Sequence, residues 1–402
     1  THESLGECFG SGCKVMGGYD YANDDSNPMD DNGHGTHVAG IVAGNGTIIG
    51  VAPNANLVAL KVLDSNGNGV SSDVTSGIDW CITNKETYNI TSMTLSLALT
   101  SGGFEVIYSS YCDDSSSIAA DASNAASNGI FVAVAAGNSG STIGITSPAC
   151  GINVTSVGAV NSVDSIFYNR GSILDVLAPG VNIVSTSSSQ GSACGAPNSD
   201  GSGTCSGTSM ATPHVAGAAI LISQYKKLES NITLTPQEIE AYLNSTGLLI
   251  NDASSGLNFQ RIDILNATII SDTLAPALEL VSPINQTYNY NESLILNYNA
   301  NDTFLDTVWY EIDTENNISL SGNIEFNLSD GGHTLFLYSN DRKGNLNLTQ
   351  VDFTDNGDLP LSYLVSPIDS YISLTCNFTL ICNATDNVLV SNIRLYHNLT
   401  WE

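Results

Sequence analysis

Positive charge is scarce in this chain. Its 402 residues include 10 Lys and Arg against 40 Asp and Glu, a formal net charge of −30. Nucleic acids and anionic membranes are bound by basic surfaces, so neither is an expected partner. The sequence also has no run of about 20 consecutive apolar residues, so we expect no transmembrane segment. These absences favour a soluble extracellular protein.

Metal-binding cysteine motifs are absent as well. None of the nine cysteines belongs to a Cys-x-x-Cys pair, and no Cys/His group has zinc-site spacing. Several cysteines instead lie near one another in sequence, which predicts disulfides. The expected local pairs are Cys8–Cys13, Cys194–Cys205 and Cys376–Cys382. Because the count is odd, at least one thiol is left free or pairs outside the chain, and Cys81, in an apolar helical pattern, is the candidate.

Asn-x-Ser/Thr sequons are abundant, which fits a secreted glycoprotein. They lie at Asn45, Asn89, Asn153, Asn231, Asn244 and Asn266, with nine more from Asn285 onward. With the composition, they predict an extracellular or cell-surface location.

The part of the chain up to Ile270 predicts an α/β domain. Short β-rich runs alternate with segments of helical spacing, which indicates a mostly parallel sheet with helices on both faces. The expected strands are 57–63, 94–99, 130–136 and 153–160, and the expected helices are 72–85 and 116–128. Residues 215–222 are apolar all round and predict a buried helix. Thr235, Pro236 and Glu238 predict a capping box at a helix start.

The composition changes near residue 270, where Asn, Tyr, Ser and Thr begin to alternate with apolar residues. Val-Ser-Pro-Ile at 281–284 recurs at 365–368, an offset of about 80 residues that suits a repeated β-sandwich. We therefore expect immunoglobulin-like modules at 272–356 and, as a partial second copy, at 358–402. The chain would thus be cut within that second copy.

Two sequence motifs contain candidate catalytic residues. Gly-Thr-Ser-Met-Ala-Thr-Pro-His-Val-Ala-Gly at 207–217 places Ser209 at a helix start, and Gly-His-Gly-Thr-His-Val-Ala-Gly at 33–40 supplies His34. Such a serine is either a helix cap or a nucleophile whose oxyanion the helix N-terminus stabilises. His34 and His37 share one helix face, as a metal pair would, but a structural role for one of them is the commoner case. Asn138, after an apolar run, is either a turn residue or a group at a ligand site.

These segments resemble the catalytic domain of subtilisin-like serine peptidases, over residues 1–270. His-Gly-Thr-His-Val-Ala-Gly at 34–40, Ala-Ala-Gly-Asn at 135–138, Leu-Ala-Pro-Gly at 177–180 and the motif around Ser209 occur in the family's order. The resemblance implies a subtilisin-like fold with Ser209 as nucleophile, His34 as general base and Asn138 as oxyanion donor. It also implies structural roles for His37 and His214, and a disulfide between Cys112 and Cys150.

The resemblance further implies a groove that binds protein or peptide substrates as added strands. Segments 96–98 and 67–69 would pair with the substrate, while three apolar side chains would line its pockets. The implied substrate-binding residues are Leu63, Gly67, Gly69, Ser96, Leu97, Ala98, Ala135 and Gly137. Many relatives have Gly where this chain has Ala98, so access to the pocket is expected to differ.

The third catalytic group of the family is an Asp on a strand that precedes a Thr-His segment, and this chain opens on Thr1-His2. The Asp is therefore expected upstream of the sequence, and the 402 residues alone are expected to have little activity. The nearby acids Asp20, Asp24, Asp25, Asp30 and Asp31 are expected to solvate a loop or to bind a cation. No cofactor is expected for the chemistry. Structural calcium is an expectation to which no residues are assigned.

Three functions are candidates. The first is a secreted endopeptidase whose β-sandwich modules tether it or bind a surface or another protein. The second is an inactive subtilase-like binding module. The third is a serine hydrolase of another class, which the order of His before Ser disfavours, because α/β-hydrolases place Ser before His.

Overall fold

The computed structural model describes residues 2–269 apart from 192 and 196, residues 274–356 apart from 290–293, 303, 314–316 and 326–327, and then 361–366, 381–385 and 393. The chain divides into two compact units, Thr1–Ile270 and Ser271–Glu402. Most of the module expected at 358–402 lies outside the described residues.

The helices of the first unit alternate with its strands. They are α1 His34–Ala43, α2 Ser71–Thr83, α3 Lys85–Tyr88, α4 Ser117–Ser127, α5 Thr208–Ser230, α6 Pro236–Thr246 and α7 Ile264–Ile269, with a short 3-10 turn at Glu3–Leu5. None of the described helices combines the length and the apolar character needed to cross a membrane. The predicted capping box is confirmed, because Thr235 N–H donates to Glu238 Oε2 at 2.7 Å while Thr235 Oγ1 accepts the Glu238 N–H.

The strands of the first unit fall into one main sheet and several short pairs. They are β1 Val15–Asp20, β2 Leu57–Lys61, β3 Ser92–Leu95, β4 Thr100–Ser101, β5 Phe104–Glu105, β6 Ile107–Tyr108, β7 Phe131–Ala135, β8 Ile145–Thr146, β9 Thr155–Val160, β10 Val176–Pro179, β11 Ile183–Thr186, β12 Ser202–Cys205, β13 Leu248–Asp252 and β14 Leu257–Arg261. The main sheet has the order β13-β14-β10-β9-β7-β3, and β13 is its antiparallel member. β1 and β2 form a separate parallel pair.

Helices cover both faces of the main sheet, as the sequence predicts. Phe131 and Ala133 of β7 pack with residues of α5, such as Val215, in one buried cluster. Val132 and Val134 point to the other face and pack with residues of α2 and α4. Side chains alternate between the faces of a strand, so a strand covered on both faces is apolar throughout.

Asp20 departs from the expectation that the acids before α1 solvate a loop or bind a cation. Asp20 ends β1, is 2% exposed, and pairs with Lys61 of β2 at 3.3 Å. Its carboxylate also accepts the side-chain amide of Asn23 at 2.8 Å. A buried carboxylate needs such partners, and the pair across β1 and β2 supplies them.

The first unit contains three disulfides, Cys8–Cys13, Cys112–Cys150 and Cys194–Cys205. Cys81 is free and buried, and burial raises the pKa of its thiol to about 12. Cys382 has no disulfide partner among the described residues, and Cys376 lies outside them. The pairing of those two cysteines stays a prediction.

The second unit is built of strands. They are β15 Ala277–Ser282, β16 Thr287–Asn289, β17 Ile295–Asn301, β18 Leu305–Ile312, β19 Ile318–Leu320, β20 Ile324–Glu325, β21 Gly331–Asp341, β22 Leu346–Asn356, β23 Leu361–Ser366 and β24 Ile381–Thr385. Sheets β15-β17-β20 and β16-β22-β21-β18-β19 share one apolar cluster, which includes Leu280, Leu296, Leu335 and Leu337.

The repeat seen in the sequence extends to backbone register. β15 pairs antiparallel with β17, and the register shifts between Leu280, opposite Tyr298, and Ser282. β23 pairs antiparallel with β24, and the register shifts between Leu364, opposite Cys382, and Ser366. The offset along the chain from Leu280 to Leu364 equals the offset from Tyr298 to Cys382. The two segments therefore share a β-bulge at the same place.

Candidate active site

His34 is the first residue of α1, and Asp30 fixes where that helix begins. The Asp30 carboxylate accepts the N–H groups of Gly33 at 2.8 Å and of Thr36 at 2.7 Å, and the Thr36 hydroxyl at 2.6 Å. Burial would raise the pKa of Asp30, but these hydrogen bonds outweigh it and lower the pKa. The first N–H groups of a helix lack intrahelical partners, so this carboxylate caps α1 and thereby positions His34.

Ser209 lies in the first turn of α5, which begins after Gly207. Thr208 and Met210 on either side are 0% and 1% exposed, whereas Ser209 is partly exposed. Gly207 has φ 146°, a value that side chains rarely allow. The serine is thus the accessible residue of a buried helix start.

The two helix starts lie side by side because α1 and α5 pack together. Val38, one turn after His34, and Met210, next to Ser209, belong to the same buried cluster. Ser96, just after β3, meets Ser209 from the sheet, and its hydroxyl donates to the Ser209 carbonyl oxygen at 2.9 Å. The predicted general base and nucleophile therefore come from adjacent helix ends.

Asn138 follows β7 and is anchored through its side chain. Its Oδ1 accepts the N–H of Thr208 at 2.8 Å and the Thr208 hydroxyl at 3.1 Å. A Cβ built on Gly207 would lie 3.2 Å from the same Oδ1, so the amide sits directly over this glycine. Because the oxygen is bound to the residue before Ser209, the Nδ2 hydrogens remain to donate elsewhere.

The histidines around the site have lowered pKa values. Burial lowers the pKa of His34, which the charge of Asp30 opposes, and burial also lowers the pKa of His37 and His214. His37 is fully buried, with its Nε2 at 3.1 Å from the Ile183 carbonyl oxygen. A neutral imidazole can accept a proton, so His34 is in the form that a general base needs.

The two segments expected to bind substrate lie at the ends of strands. Residues 96–98 follow β3 and are partly exposed, and the predicted strand over 94–99 already ends at Leu95. Segment 64–69 is a turn in which the Asp64 carboxylate accepts the Asn66 and Asn68 N–H groups, both at 2.9 Å. Gly67 and Gly69 are exposed within that segment.

A cleft of about 770 Å³ runs between β2 and β3. His34, Leu63, Ser96 and Leu97 line it, together with residues of both strands. Among the described strands, β2 pairs with β1 alone and β3 with β7 alone, so both face the cleft with an edge. Ala98, Ala135 and the predicted glycines are not part of its lining. The sequence predicts one parallel sheet, but the cleft separates the pair β1-β2 from the main sheet, which ends at β3.

Potential metal ligands come together at one place among the described residues, around His37, Cys194 and Cys205. Both cysteines are joined in a disulfide. Disulfide sulfurs are not thiolates, which are the form that binds metals, so this group does not fit a metal ion.

Comparison with known proteins identifies the first unit. The subtilase family model matches residues 11–263, more than half of the chain.

The chain belongs to the subtilase family.

This subtilase is 37% identical over 247 residues to alkaline serine exoprotease A of Vibrio alginolyticus, a match that covers 61% of this chain and 39% of that protein. It is 41% identical over 248 residues to subtilisin E of Bacillus subtilis, a match that covers 60% of this chain and 57% of that protein. The crystal structure of a cold adapted subtilisin-like serine proteinase superposes with a TM-score of 0.51 at 33% identity, covering 65% of this chain and 83% of that chain. The chain spans less than two thirds of the length of the two named relatives.

Four residues that hold the candidate site were not expected from the sequence to have that role: Thr208, Asp30, Glu105 and Asn169. Thr208 borders Ser209 in the motif, which is a signal for it, whereas Asp30 lies three residues before the N-cap Gly33, where no capping residue is looked for. Glu105 contacts Asn138, and Asn169 contacts Ala136 and Ser139, from distant parts of the chain, and no local pattern marks either residue.

Proposed function

We propose that the first unit is a serine endopeptidase with Ser209 as nucleophile, His34 as general base and Asn138 as oxyanion donor. The observation that carries the proposal is the pair of bonds from Thr208 to Asn138 Oδ1. They hold a side-chain amide beside the one accessible residue of a buried helix start. Acyl transfer needs this combination of an accessible hydroxyl and fixed N–H donors.

In the proposed reaction, His34 accepts the Ser209 hydroxyl proton while Oγ bonds to the carbonyl carbon of the substrate. The electron pair of the carbonyl bond moves to oxygen, which the Asn138 Nδ2–H and the Ser209 N–H stabilise. His34 then gives the proton to the leaving amine, and water hydrolyses the acyl-enzyme by the same steps. The substrate backbone would pair with segments 96–98 and 67–69 as an added strand.

We further propose that the third catalytic group is an Asp on an extended segment that occupies the cleft between β2 and β3. The cleft presents two strand edges and is lined by His34. Among the described residues, no carboxylate hydrogen-bonds the His34 ring, and Asp30 is already engaged by α1. A strand seated there would complete the sheet and bring a carboxylate to the imidazole.

An extracellular location is the expectation that the acidic composition, the sequons and three disulfides support. The β-rich unit would then act as an immunoglobulin-like module that tethers the enzyme or binds a surface or another protein. No cofactor is proposed for the chemistry, and structural calcium is kept as an expectation without assigned residues.

A fluorophosphonate probe on the full natural protein tests the nucleophile. We expect labelling that Ser209→Ala abolishes and that Ser206→Ala retains. Ser206 is the matched control, since it is an exposed serine of the same loop whose hydroxyl accepts the Asn182 N–H at 2.8 Å. Absence of labelling in the parent protein would favour the alternative, an inactive subtilase-like binding module.

Casein hydrolysis tests the third group. The 402 residues alone are expected to be nearly inactive, and the same chain extended by the upstream residues its gene encodes is expected to recover activity. Subtilisin loses about 3 × 10⁴-fold in kcat without its own Asp, which sets the expected difference. Full activity of this chain without the extension, abolished by Ser209→Ala, would contradict the proposal for the cleft.

A further inference from the structure

The loop that presents Asn138 is held by a carboxylate from another part of the chain. Strands β4 and β5 form a short hairpin after the substrate segment 96–98, with Glu105 paired to Thr100 at its base. Glu105 Oε1 accepts the Asn138 N–H at 2.7 Å, and Oε2 accepts the Ser139 N–H at 3.1 Å. One side chain thus binds two consecutive backbone groups of the loop.

Asn169 completes this contact. Its Nδ2 donates to Glu105 Oε2 at 2.7 Å and to the Ala136 carbonyl oxygen at 3.1 Å. Its Oδ1 accepts the Ser139 hydroxyl at 2.9 Å and the Ser141 N–H at 3.0 Å. Asn169 is 0% exposed, so it links Glu105 to the whole loop from inside the protein.

Gly137 leaves the space that these side chains occupy. It has φ 100°, and a Cβ built on it would lie 2.3 Å from Asn169 Nδ2 and 2.7 Å from Glu105 Oε2. Real Cβ atoms do not approach other atoms so closely. The absence of a side chain at this position is what lets the carboxylate reach the next two N–H groups.

We propose that Glu105 is a positioning residue that sets the oxyanion donor. Asn138 is then held twice, because Glu105 fixes its backbone and Thr208 fixes its side-chain oxygen, which leaves Nδ2 with one direction in which to donate. This inference rests on the proposed function, in which Asn138 binds the oxyanion. Fixed donors cost no reorganisation when the negative charge develops.

The chemistry of the contact requires a carboxylate. All three donors are N–H groups, and a carboxylate offers acceptors on both oxygens. Glutamine would replace one oxygen by an NH₂ group, which would face at least one of the N–H donors. Hydrogen bonds to an ionised acceptor are also roughly twice as strong as neutral ones.

The first test compares Glu105→Gln with the control Asp113→Asn in the full natural protein. Asp113 is matched because its carboxylate also accepts a backbone N–H, that of Ile152 at 3.0 Å. Glu105→Gln should lower kcat on a peptide substrate by about 10- to 100-fold, below the 10²–10³-fold cost of losing the amide donor itself in subtilisin. KM should stay within about twofold, and affinity for a peptide aldehyde should fall with kcat. Asp113→Asn should change neither constant.

A double-mutant cycle separates positioning from other roles. In an Asn138→Ala background, Glu105→Gln should change kcat by less than about threefold, because the group it positions is gone. An equal loss in both backgrounds would overturn the proposal, and so would a rise in KM with kcat unchanged.

Amide hydrogen exchange gives a readout that does not need activity. Glu105→Gln should speed exchange of the Asn138 and Ser139 N–H groups by at least about tenfold, the effect of weakening protection by about 1.4 kcal/mol. Unchanged exchange would overturn the proposal. If exchange changes but the parent protein takes up no fluorophosphonate, Glu105 does hold the loop and the proposed function fails.

Discussion

Three histidines of the first unit and one histidine of the second differ in the direction of their pKa shift. Burial lowers the pKa of His34, His37 and His214 in the first unit. In the second unit, burial opposes a high pKa of His333, but hydrogen bonds with Asp313 and the Ser329 carbonyl oxygen outweigh it and raise the pKa. The environment therefore favours the neutral imidazole at these sites of the first unit and the charged imidazolium at His333.

The difference shows what a carboxylate does to a buried imidazole. Asp313 contacts the His333 ring directly, whereas the described residues offer His34 only the more distant charge of Asp30. An Asp in the cleft between β2 and β3 would add the missing contact. It would raise the pKa of His34 toward neutral pH and stabilise the imidazolium formed during the proposed reaction.

The largest expected effect separates the two kinds of histidine by function. His34→Ala should lower kcat by about 10⁶-fold in the full natural protein, the loss that subtilisin suffers without its own histidine. His333→Ala should leave kcat unchanged, since the residue belongs to the second unit. Both variants are measured by peptide hydrolysis and fluorophosphonate labelling. A similar loss of kcat in the two would contradict the distinction between the two kinds of histidine.

The second prediction compares the ion pairs. Arg170 binds Asp252 at 2.6 Å with both side chains buried, whereas Asp313 beside His333 is 39% exposed. Arg170→Met should cost about 3–5 kcal/mol in unfolding free energy, because it leaves a buried carboxylate without its cation. Asp313→Asn should cost about 0–1 kcal/mol. Denaturant unfolding measures both costs, and equal values would contradict the view that the buried ion pair contributes more than the partly exposed one.

A third prediction uses a buried acid of the first unit. Burial, and then the charge of Asp175, raise the pKa of Glu240 to about 7 from 4.5. The folded state then binds more protons than the unfolded state, so stability should fall by up to about 3 kcal/mol as pH rises from 4.5 to 7. Glu240→Gln should remove that fall in a denaturant series. Glu238→Gln on the same helix is the control, since capping bonds lower the pKa of Glu238 and give a slope of opposite sign.

The smallest effect concerns His333 itself. Its raised pKa stabilises the second unit fully below pH 6.5, and the contribution is lost as pH rises through the folded pKa. His333→Gln should therefore destabilise by about 0–1 kcal/mol at low pH, with the difference vanishing at high pH. Segment-resolved hydrogen exchange measures this difference in stability between parent and variant. A difference that grows as pH rises would contradict the prediction.

Much of the first unit was predictable because its signals are local. Apolar runs become buried strands, and the capping box at Thr235 forms as the sequence indicates. Asp20 was misjudged because its partner Lys61 lies on β2, on the far side of α1 in the sequence. Glu105 and Asn169 are not predictable from the sequence for the same reason, since their contacts with Asn138 and Ser139 join segments that only the folded sheet brings together.

The shared β-bulge has a consequence for the second unit. A bulge shifts the alternation of side chains, so it decides which residues of β15 and β23 face outward. Because the two bulges lie at equivalent positions of the repeat, the alternation of side chains shifts at the same strand position in both copies. In the proposed role of this unit as a module that binds a surface or another protein, such a repeat would offer two equivalent strand pairs on one chain, and two linked weak contacts hold far longer than either alone.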